Sequence, residues 1–344
     1  MPRKNAGRPG LFKNLCIGGN APSALFLDRP LHTGIVSFHL SMEATLHAPR
    51  ILLTGGRSRL AGVIRERLAN NGAQVVTLSR SEGDSHLGLE NLFVNNLVDQ
   101  ADTLLHLAWS TVPLSSERHV GLEWQQDLPL LVKVLETIRA SPNRERLHLV
   151  FFSSGGSVYG NARDGRPSRE SDPCEPLGWY GQAKLAAERL IGEYGRRYGL
   201  RYTILRISNP YGFPVPPHKP QGIVPIILRH AREGTPFTVW GDGSARKDFL
   251  HHTDFTAALD LVVRRQPTGI FNVGSGESHS VSEIIALVEL ALGRKIPVQH
   301  TPAHPWDVHD SLLDNTKLRS AVGWVPEKSL AAGIREAVAG EPTG

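Results

Sequence analysis

Cysteine and methionine are scarce in this chain of 344 residues, with two of each: Cys16, Cys174, Met1 and Met42. Two cysteines cannot build the disulfide framework of a secreted scaffold, so a reducing cytoplasm is the expected setting. Long hydrophobic runs are missing too, and no stretch approaches the roughly 18 apolar residues that signal a membrane span. The six tryptophans (Trp109, Trp124, Trp179, Trp240, Trp306 and Trp324) are scattered, which argues for core and pocket wall rather than a platform for stacked bases. A strong excess of one charge is also absent, with 38 Lys and Arg facing 33 Asp and Glu. The pI near 9.3 hints at nucleic acid only until the charge is located. Residues 1–41 carry Arg3, Lys4, Arg8, Lys13 and Arg29 against Asp28, leaving 33 basic and 32 acidic groups in the rest. The body of the chain is nearly neutral, so neither nucleic acid nor a membrane surface is an expected partner.

The first 48 residues lack sustained periodicity and are punctuated by Gly and Pro. Met42 stands eight residues before Arg50, so translation starting there is one reading of this segment. A disordered basic arm or a transit-type segment are the alternatives. From residue 50 the pattern changes. Ile51-Leu52-Leu53 reads as a buried strand, Leu60, Ile64 and Leu68 recur at helical spacing, and Asn70-Asn71-Gly72 stops the helix. Strands follow at Val75–Leu78, 103–107 and 147–152, with helical patterns at 127–140 and 181–197. Alternating strands and helices predict an α/β protein with a Rossmann-type, doubly wound parallel sheet. Residues 208–222 hold Pro210, Pro214, Pro216, Pro217 and Pro220, enough to predict a loop. Helices are expected at 223–233 and 281–292, with a turn at Gly241-Asp242-Gly243-Ser244. The expected organisation is an extension (1–48), a nucleotide-binding domain (49–207 and about 249–274) and a smaller α/β substrate lid (about 208–248 and 275–340).

Three local patterns carry chemistry. Thr54-Gly55-Gly56-Arg57-Ser58-Arg59-Leu60-Ala61 is a strand-to-helix turn whose small residues let backbone approach a pyrophosphate. Ser58 and Ala61 fill the places of the second and third glycines of a G-x-x-G-x-x-G pattern, so the loop alone is an equally good plain βα turn. At the end of the next strand, Ser79-Arg80 stands where NAD-binding sheets place an acid for the ribose hydroxyls and where Arg accommodates a 2′-phosphate. That favours NADP over NAD, against the plain alternative of a solvated loop arginine. Tyr180 and Lys184, at i and i+4, share one helix face. A nearby ammonium favours phenolate and lowers the tyrosine pKa, making it a usable acid/base.

The chain is similar to extended short-chain dehydrogenase/reductases of the NAD-dependent epimerase/dehydratase family, and within it to UDP-glucose 4-epimerases. The matching segments run in order from LLTGG (52–56), LLHLAW (104–109), SSGGSVYG (153–160) and YGQAKLAAE (180–188) to LRISNPYG (205–212). VWGDGSARKDFLHHTDF (239–255), FNVGSGE (271–277) and VGWVP (322–326) complete the set. The resemblance implies that Gly55, Gly56, Arg57, Ser58, Arg59 and Leu60 hold the cofactor pyrophosphate, with Leu107 and Ala108 lining its path. It implies Tyr180 as catalytic acid/base, Lys184 on the nicotinamide ribose and Asn209 on the sugar-nucleotide phosphates. It also implies a homodimer through the helices near 127–140 and 181–197.

Departures from the family pattern are specific. The hydroxyl expected four residues before Tyr159 falls on Gly155, leaving Ser154 or Ser157 to replace it. The two diphosphate-gripping arginines appear as Lys247, with Arg246 beside it, and as His304. The Thr-Asp-Glu of sugar-nucleotide 4,6-dehydratases is Gly155-Gly156-Ser157 here, which removes the acid pair that elimination needs. His300, His304 and His309 lie in a Pro-broken loop without metal-ligand spacing, so no metal is expected. The expected activity is a 4-epimerase acting on a nucleotide-diphosphate sugar. An NADP-dependent 4-ketosugar reductase and a non-catalytic nucleotide-sensing member are the alternatives.

Overall fold

A computed structural model describes residues 48–339, apart from 81–85, 95, 164 and 214–221. The N-terminal extension with Cys16 and Met42, and the prolines at 214, 216, 217 and 220, lie outside the described residues. Seven parallel strands form the central sheet. From edge to edge they are Gly269–Val273, Arg201–Ile207, His148–Ser154, Thr103–His106, Arg50–Thr54, Gln74–Ser79 and Leu87–Gly88. Strand order reverses at Arg50–Thr54, the topological switch that such sheets use for ligand binding at their carboxyl edge.

The strands form because apolar side chains on both faces find helices to bury them. Ile51 and Leu53 pack with Ile64 and Leu68 of the helix Arg59–Asn70 and with Phe255, Leu259 and Val262 of the helix His252–Arg265. Leu52, one residue out of phase, packs on the other face with Leu131, Val134 and Leu135 of the helix Leu128–Ala140 and Ala187 and Ile191 of the helix Trp179–Tyr198. Each fully buried Leu or Ile contributes about 1.5–3 kcal/mol, so the two faces fix the strand register. A third apolar cluster joins the helices Ile223–Glu233, Val281–Leu292 and Leu330–Ala339 to the strands Phe237–Trp240 and Arg246–His251.

The helices at 223–233 and 281–292 and the turn at 241–244 stand where the sequence places them. Pro210 does not lie in a loop. It is the middle residue of the strand Asn209–Tyr211, which pairs in parallel with Phe249–His251. A short strand with a single pairing partner tolerates proline because the missing N–H can face away from the ladder.

Between sheet and Trp179–Tyr198 helix lies a buried ion pair. Arg206 and Glu188 are each 3% exposed. The guanidinium donates to both Glu188 carboxylate oxygens, with Nη2 2.7 Å from Oε2, and to the Tyr159 hydroxyl at 2.8 Å. Tyr159 donates in turn to Asn272 Oδ1, and Ser153 donates to Glu188. Three strands and the helix carrying Tyr180 are thereby locked by one satisfied polar network. Arg206→Met should therefore lower stability to urea by about 3–5 kcal/mol, because it leaves the Glu188 charge buried and unpaired. The Arg206→Met/Glu188→Met double variant should be the more stable of the two. A loss below about 1 kcal/mol in the single variant would show that the pair holds nothing in place.

Candidate active site

Three loops leave the carboxyl edge of the sheet next to one another. The first, Gly55–Ser58, follows the strand Arg50–Thr54. Gly55 has φ +75°, and a Cβ there would sit 2.9 Å from the Ala108 backbone nitrogen. Glycine is therefore required twice over, by conformation and by close approach. The Gly56 N–H donates to Leu78 O at 3.0 Å. Ser58, which stands in a missing glycine's place, caps the helix Arg59–Asn70 by accepting from the Ala61 N–H at 3.1 Å. A capped helix N-terminus at the switch point offers backbone donors and a positive dipole end to a phosphate.

The second loop starts at Leu107. Thr54 Oγ1 lies 3.0 Å from His106 Nδ1 and accepts from the Ala108 N–H at 3.2 Å, which ties this loop to the first. His106 is buried, and burial with the Lys184 charge pushes its pKa down to about 3, so it stays neutral. Ser79 is buried at its strand end and Arg80 is exposed. The loop with Gly55, the abutting Leu107 and Ala108, and the helix N-terminus fit a dinucleotide whose pyrophosphate needs close backbone approach.

The third connection runs from the end of the strand His148–Ser154 through the short helix Gly155–Val158 and packs against the helix Trp179–Tyr198. A Cβ at Gly181 would lie 2.7 Å from Ser157 O, so glycine next to Tyr180 lets the helix rest on this connection. The helix begins after Gly178, where the Trp179 N–H donates to Glu117 Oε1 at 2.8 Å, and ends at Gly199 with φ +69°. Tyr180 is half-buried and Lys184 is 4% exposed. The Lys184 Nζ lies 5.7 Å from the centroid of the Tyr180 ring. It donates to Phe152 O at 2.8 Å and sits over the Trp109 ring at 3.8 Å and the Phe151 ring at 4.9 Å.

This enclosure changes the expected titration. Burial pushes the Lys184 pKa down to about 7, opposed by the carboxylates of Asp127, Glu188 and Glu123. Tyr180 is not lowered towards working pH. Burial, and then the Asp127 and Glu123 charges, hold its phenol above the usual value. The ammonium thus has to offset both desolvation and two carboxylates, a tension typical of working acid/base sites.

The candidate hydroxyls sit where their strand and turn put them. Ser154, at the strand's end, donates to Ser157 Oγ at 3.2 Å. Gly155 has no room for a side chain: a Cβ would meet Leu313 Cδ1 at 2.5 Å and Arg206 O at 3.0 Å. Leu313 therefore occupies the volume the family hydroxyl would need.

Asn209 lies across from Gly156, with its Nδ2 3.7 Å from where a Gly156 Cβ would stand, and donates to Asp248 O at 2.9 Å. Adjacent strand residues face opposite ways, and this separates Arg246 from Lys247. Lys247 pairs with Asp307 at 3.0 Å. Arg246 donates to Ser278 and pairs with Glu283 at 3.3 Å. His304 stacks on Trp306 with centroids 4.7 Å apart and meets Trp240 edge-on at 4.6 Å. His300 contacts Gly241 O and His309 contacts Ser244. Among the described residues no three His, Cys, Asp or Glu side chains converge to hold a metal. No described helix is long and apolar enough to cross a membrane.

A parallel sheet in this order, a glycine loop at its switch point and a Tyr–Lys pair on one helix face define a nucleotide-binding α/β protein of short-chain dehydrogenase type. The chain belongs to the NAD dependent epimerase/dehydratase family, which matches residues 51–274. It is 29% identical over 298 residues to a putative UDP-glucose 4-epimerase of Methanocaldococcus jannaschii, covering 84% of this chain and 97% of that one. The UDP-glucose 4-epimerase of Thermus thermophilus, solved in complex with NAD, has a TM-score of 0.74 at 30% identity, covering 84% of this chain and 98% of that one. The Thermotoga maritima UDP-glucose 4-epimerase, solved with UDP-glucose, has a TM-score of 0.75 at 26% identity, covering 84% and 97%.

Asp127, Glu123, Glu188 and Leu313 also line this region, and none of them stands out in the sequence as a site residue. Two acids at i and i+4 directly before an apolar helical pattern were the one available signal for the first pair. Gly155→Ser is expected to cost about 1–3 kcal/mol of stability through overpacking. A double-mutant cycle with Leu313→Ala should show a favourable coupling, since the smaller side chain frees the space. Additive effects in urea unfolding would place Leu313 elsewhere.

Proposed function

We propose that the protein is a nucleotide-sugar 4-epimerase of the UDP-glucose 4-epimerase kind, working in the cytoplasm. The observation that carries this reading is the Lys184 ammonium enclosed 5.7 Å from the Tyr180 ring, beside the end of the strand His148–Ser154. Tyr180 is the group that takes the proton from the sugar 4-hydroxyl and later returns it. Lys184 stabilises the phenolate, and Ser154 or Ser157 donates to the oxygen at C4. The nicotinamide cofactor, when bound, supplies reversible hydride acceptance at C4. Return to the opposite face of the sugar inverts C4 with no net redox. Lys247 and Asn209 are assigned to the diphosphate end, and the His304–Trp306–Trp240 cluster to the neighbouring wall. Arg246 is not assigned there, because it points to the opposite face of its strand from Lys247, towards Ser278 and Glu283. The described parts of the segments about 208–248 and 275–340 are assigned to the lid. Gly155-Gly156-Ser157 supplies no acid pair, so dehydration is not part of this reading.

Arg80 favours a second reading, an NADP-dependent reductase of nucleotide 4-ketosugars, because an exposed arginine at this strand end suits a 2′-phosphate. The exposed faces of Leu128–Ala140 and Trp179–Tyr198, with Val132 and Tyr198, are assigned to a homodimer.

Incubation with UDP-glucose, UDP-N-acetylglucosamine or their 4-epimers, with each cofactor, should interconvert an epimer pair without net change in reduced nucleotide. Steady NADPH consumption with a 4-ketosugar would replace the epimerase by the reductase. Tyr180→Phe should lower kcat by about 100-fold or more, and full activity in that variant would remove the mechanism. Arg80→Ala should weaken NADP binding by about tenfold, the worth of one charge-assisted contact, and leave NAD binding unchanged. Equal effects on both in a fluorescence titration would show that Arg80 does not read the 2′-phosphate.

A further inference from the structure

The helix Leu128–Ala140 is entered through a π-helical turn, Glu123–Asp127, and both end residues are buried acids. Glu123 is 0% and Asp127 4% exposed. Turns of this kind are rare and concentrate at functional sites. Asp127 occupies the helix N-cap position but makes no capping hydrogen bond. Its carboxylate faces the other way and accepts from Ser110 N at 2.9 Å and Ser110 Oγ at 2.6 Å. Glu123 accepts from Thr111 Oγ1, and its Oε2 is buried with no partner. The segment Trp109-Ser110-Thr111 thus presents the Trp109 ring to the Lys184 ammonium and anchors two carboxylates through its next two residues. A capping or packing role would need no charge at either position, and burying two carboxylates is costly unless a cation answers them.

Resting on the assignment of Tyr180 and Lys184 as the reacting pair, we infer that Asp127, seconded by Glu123, is the positioning residue that keeps the proton on Lys184. The π turn with Asp127 and Glu123 packs against the Lys184 helix, and the titratable groups whose charge acts on that ammonium are these two acids, Glu188 and Tyr180 from its own helix, and His106 from the strand below. Glu117, from the helix Pro113–Arg118, meets the same helix at Trp179. Glu188 is already held by Arg206 and Ser153, and His106 is neutral. The π-turn acids are therefore the negative charges left to answer the lysine. Their charge has the opposite effect on Tyr180, whose ionisation it opposes. Asp127 then raises both the pH at which Lys184 loses its proton and the pH at which Tyr180 loses its own. It sets where on the pH axis the pair works.

The test replaces the charge and keeps the shape. Asp127→Asn retains an oxygen for the Ser110 N–H, and Glu123→Gln one for Thr111. The chain has nine lysines, so the Lys184 resonance in protein labelled with 13Cε-lysine is assigned by its loss in Lys184→Arg. In substrate-free protein the Lys184 midpoint should fall by about one pH unit in Asp127→Asn, the size of an opposite-charge effect at this range. It should fall by less in Glu123→Gln, at unchanged melting temperature. With UDP-glucose as substrate, the kcat/KM profile of Asp127→Asn should move to lower pH as a whole rather than lose height. An unmoved Lys184 midpoint in whichever of the two variants folds would overturn the inference. Absence of turnover with any nucleotide sugar would count against the epimerase reading alone, since the lysine titration needs no substrate.

Discussion

A lysine ammonium held out of water beside a tyrosine is the constraint around which this molecule is arranged. Lys184 has one carbonyl acceptor, Phe152 O, and otherwise rests on the rings of Trp109 and Phe151. Desolvation works against its charge, so the surrounding elements must return what water no longer supplies. The strand His148–Ser154 provides the carbonyl, the segment after His106 provides the indole, and the turn Glu123–Asp127 provides negative potential. Each of these comes from a different element, and the parallel sheet is what brings their ends to one edge.

The same enclosure explains why the rest of the site is built so tightly. Gly55 and Gly181 are glycine because neighbouring backbone comes within a distance that no side chain allows. The Arg206–Glu188 pair fixes the helix one turn beyond Lys184 and joins it to Tyr159 and Asn272. Rigidity here serves positioning, because the proton transfer proposed for Tyr180 tolerates little error in geometry. The segments assigned to the lid are organised differently. Lys247 is balanced by Asp307, and His304 lies against Trp306, so that wall is aromatic and nearly neutral where two arginines would have made it strongly cationic. A nucleotide sugar there would be held more by stacking and shape than by charge.

Much of this was legible in the sequence wherever the signal is local. Ile51–Leu53, the helix at Leu60, Ile64 and Leu68, and the Tyr180–Lys184 spacing depend only on near neighbours, and the structure has them in place. The features that were not legible depend on partners far along the chain. Leu313 filling the space above Gly155, Asp127 reaching back to Ser110, and Glu188 meeting Arg206 join residues that periodicity cannot connect. Arg246 and Lys247 look equivalent in sequence and part only when a strand sends them to opposite faces. Pro210 reads as a loop residue until its strand is seen to have a single partner. The tyrosine's own ionisation departs from the sequence expectation for the same reason: its helix shows the ammonium, while the opposing carboxylates arrive from another element.

The central claim is that hydride leaves and returns to C4 within one enclosed site while Tyr180 handles only the hydroxyl proton. Following deuterium from UDP-[4-²H]glucose tests it directly. Mass and NMR analysis of the epimerised product should find the deuterium still at C4, now on the opposite face. Deuterium lost to solvent, or a product inverted at a carbon other than C4, would contradict the account.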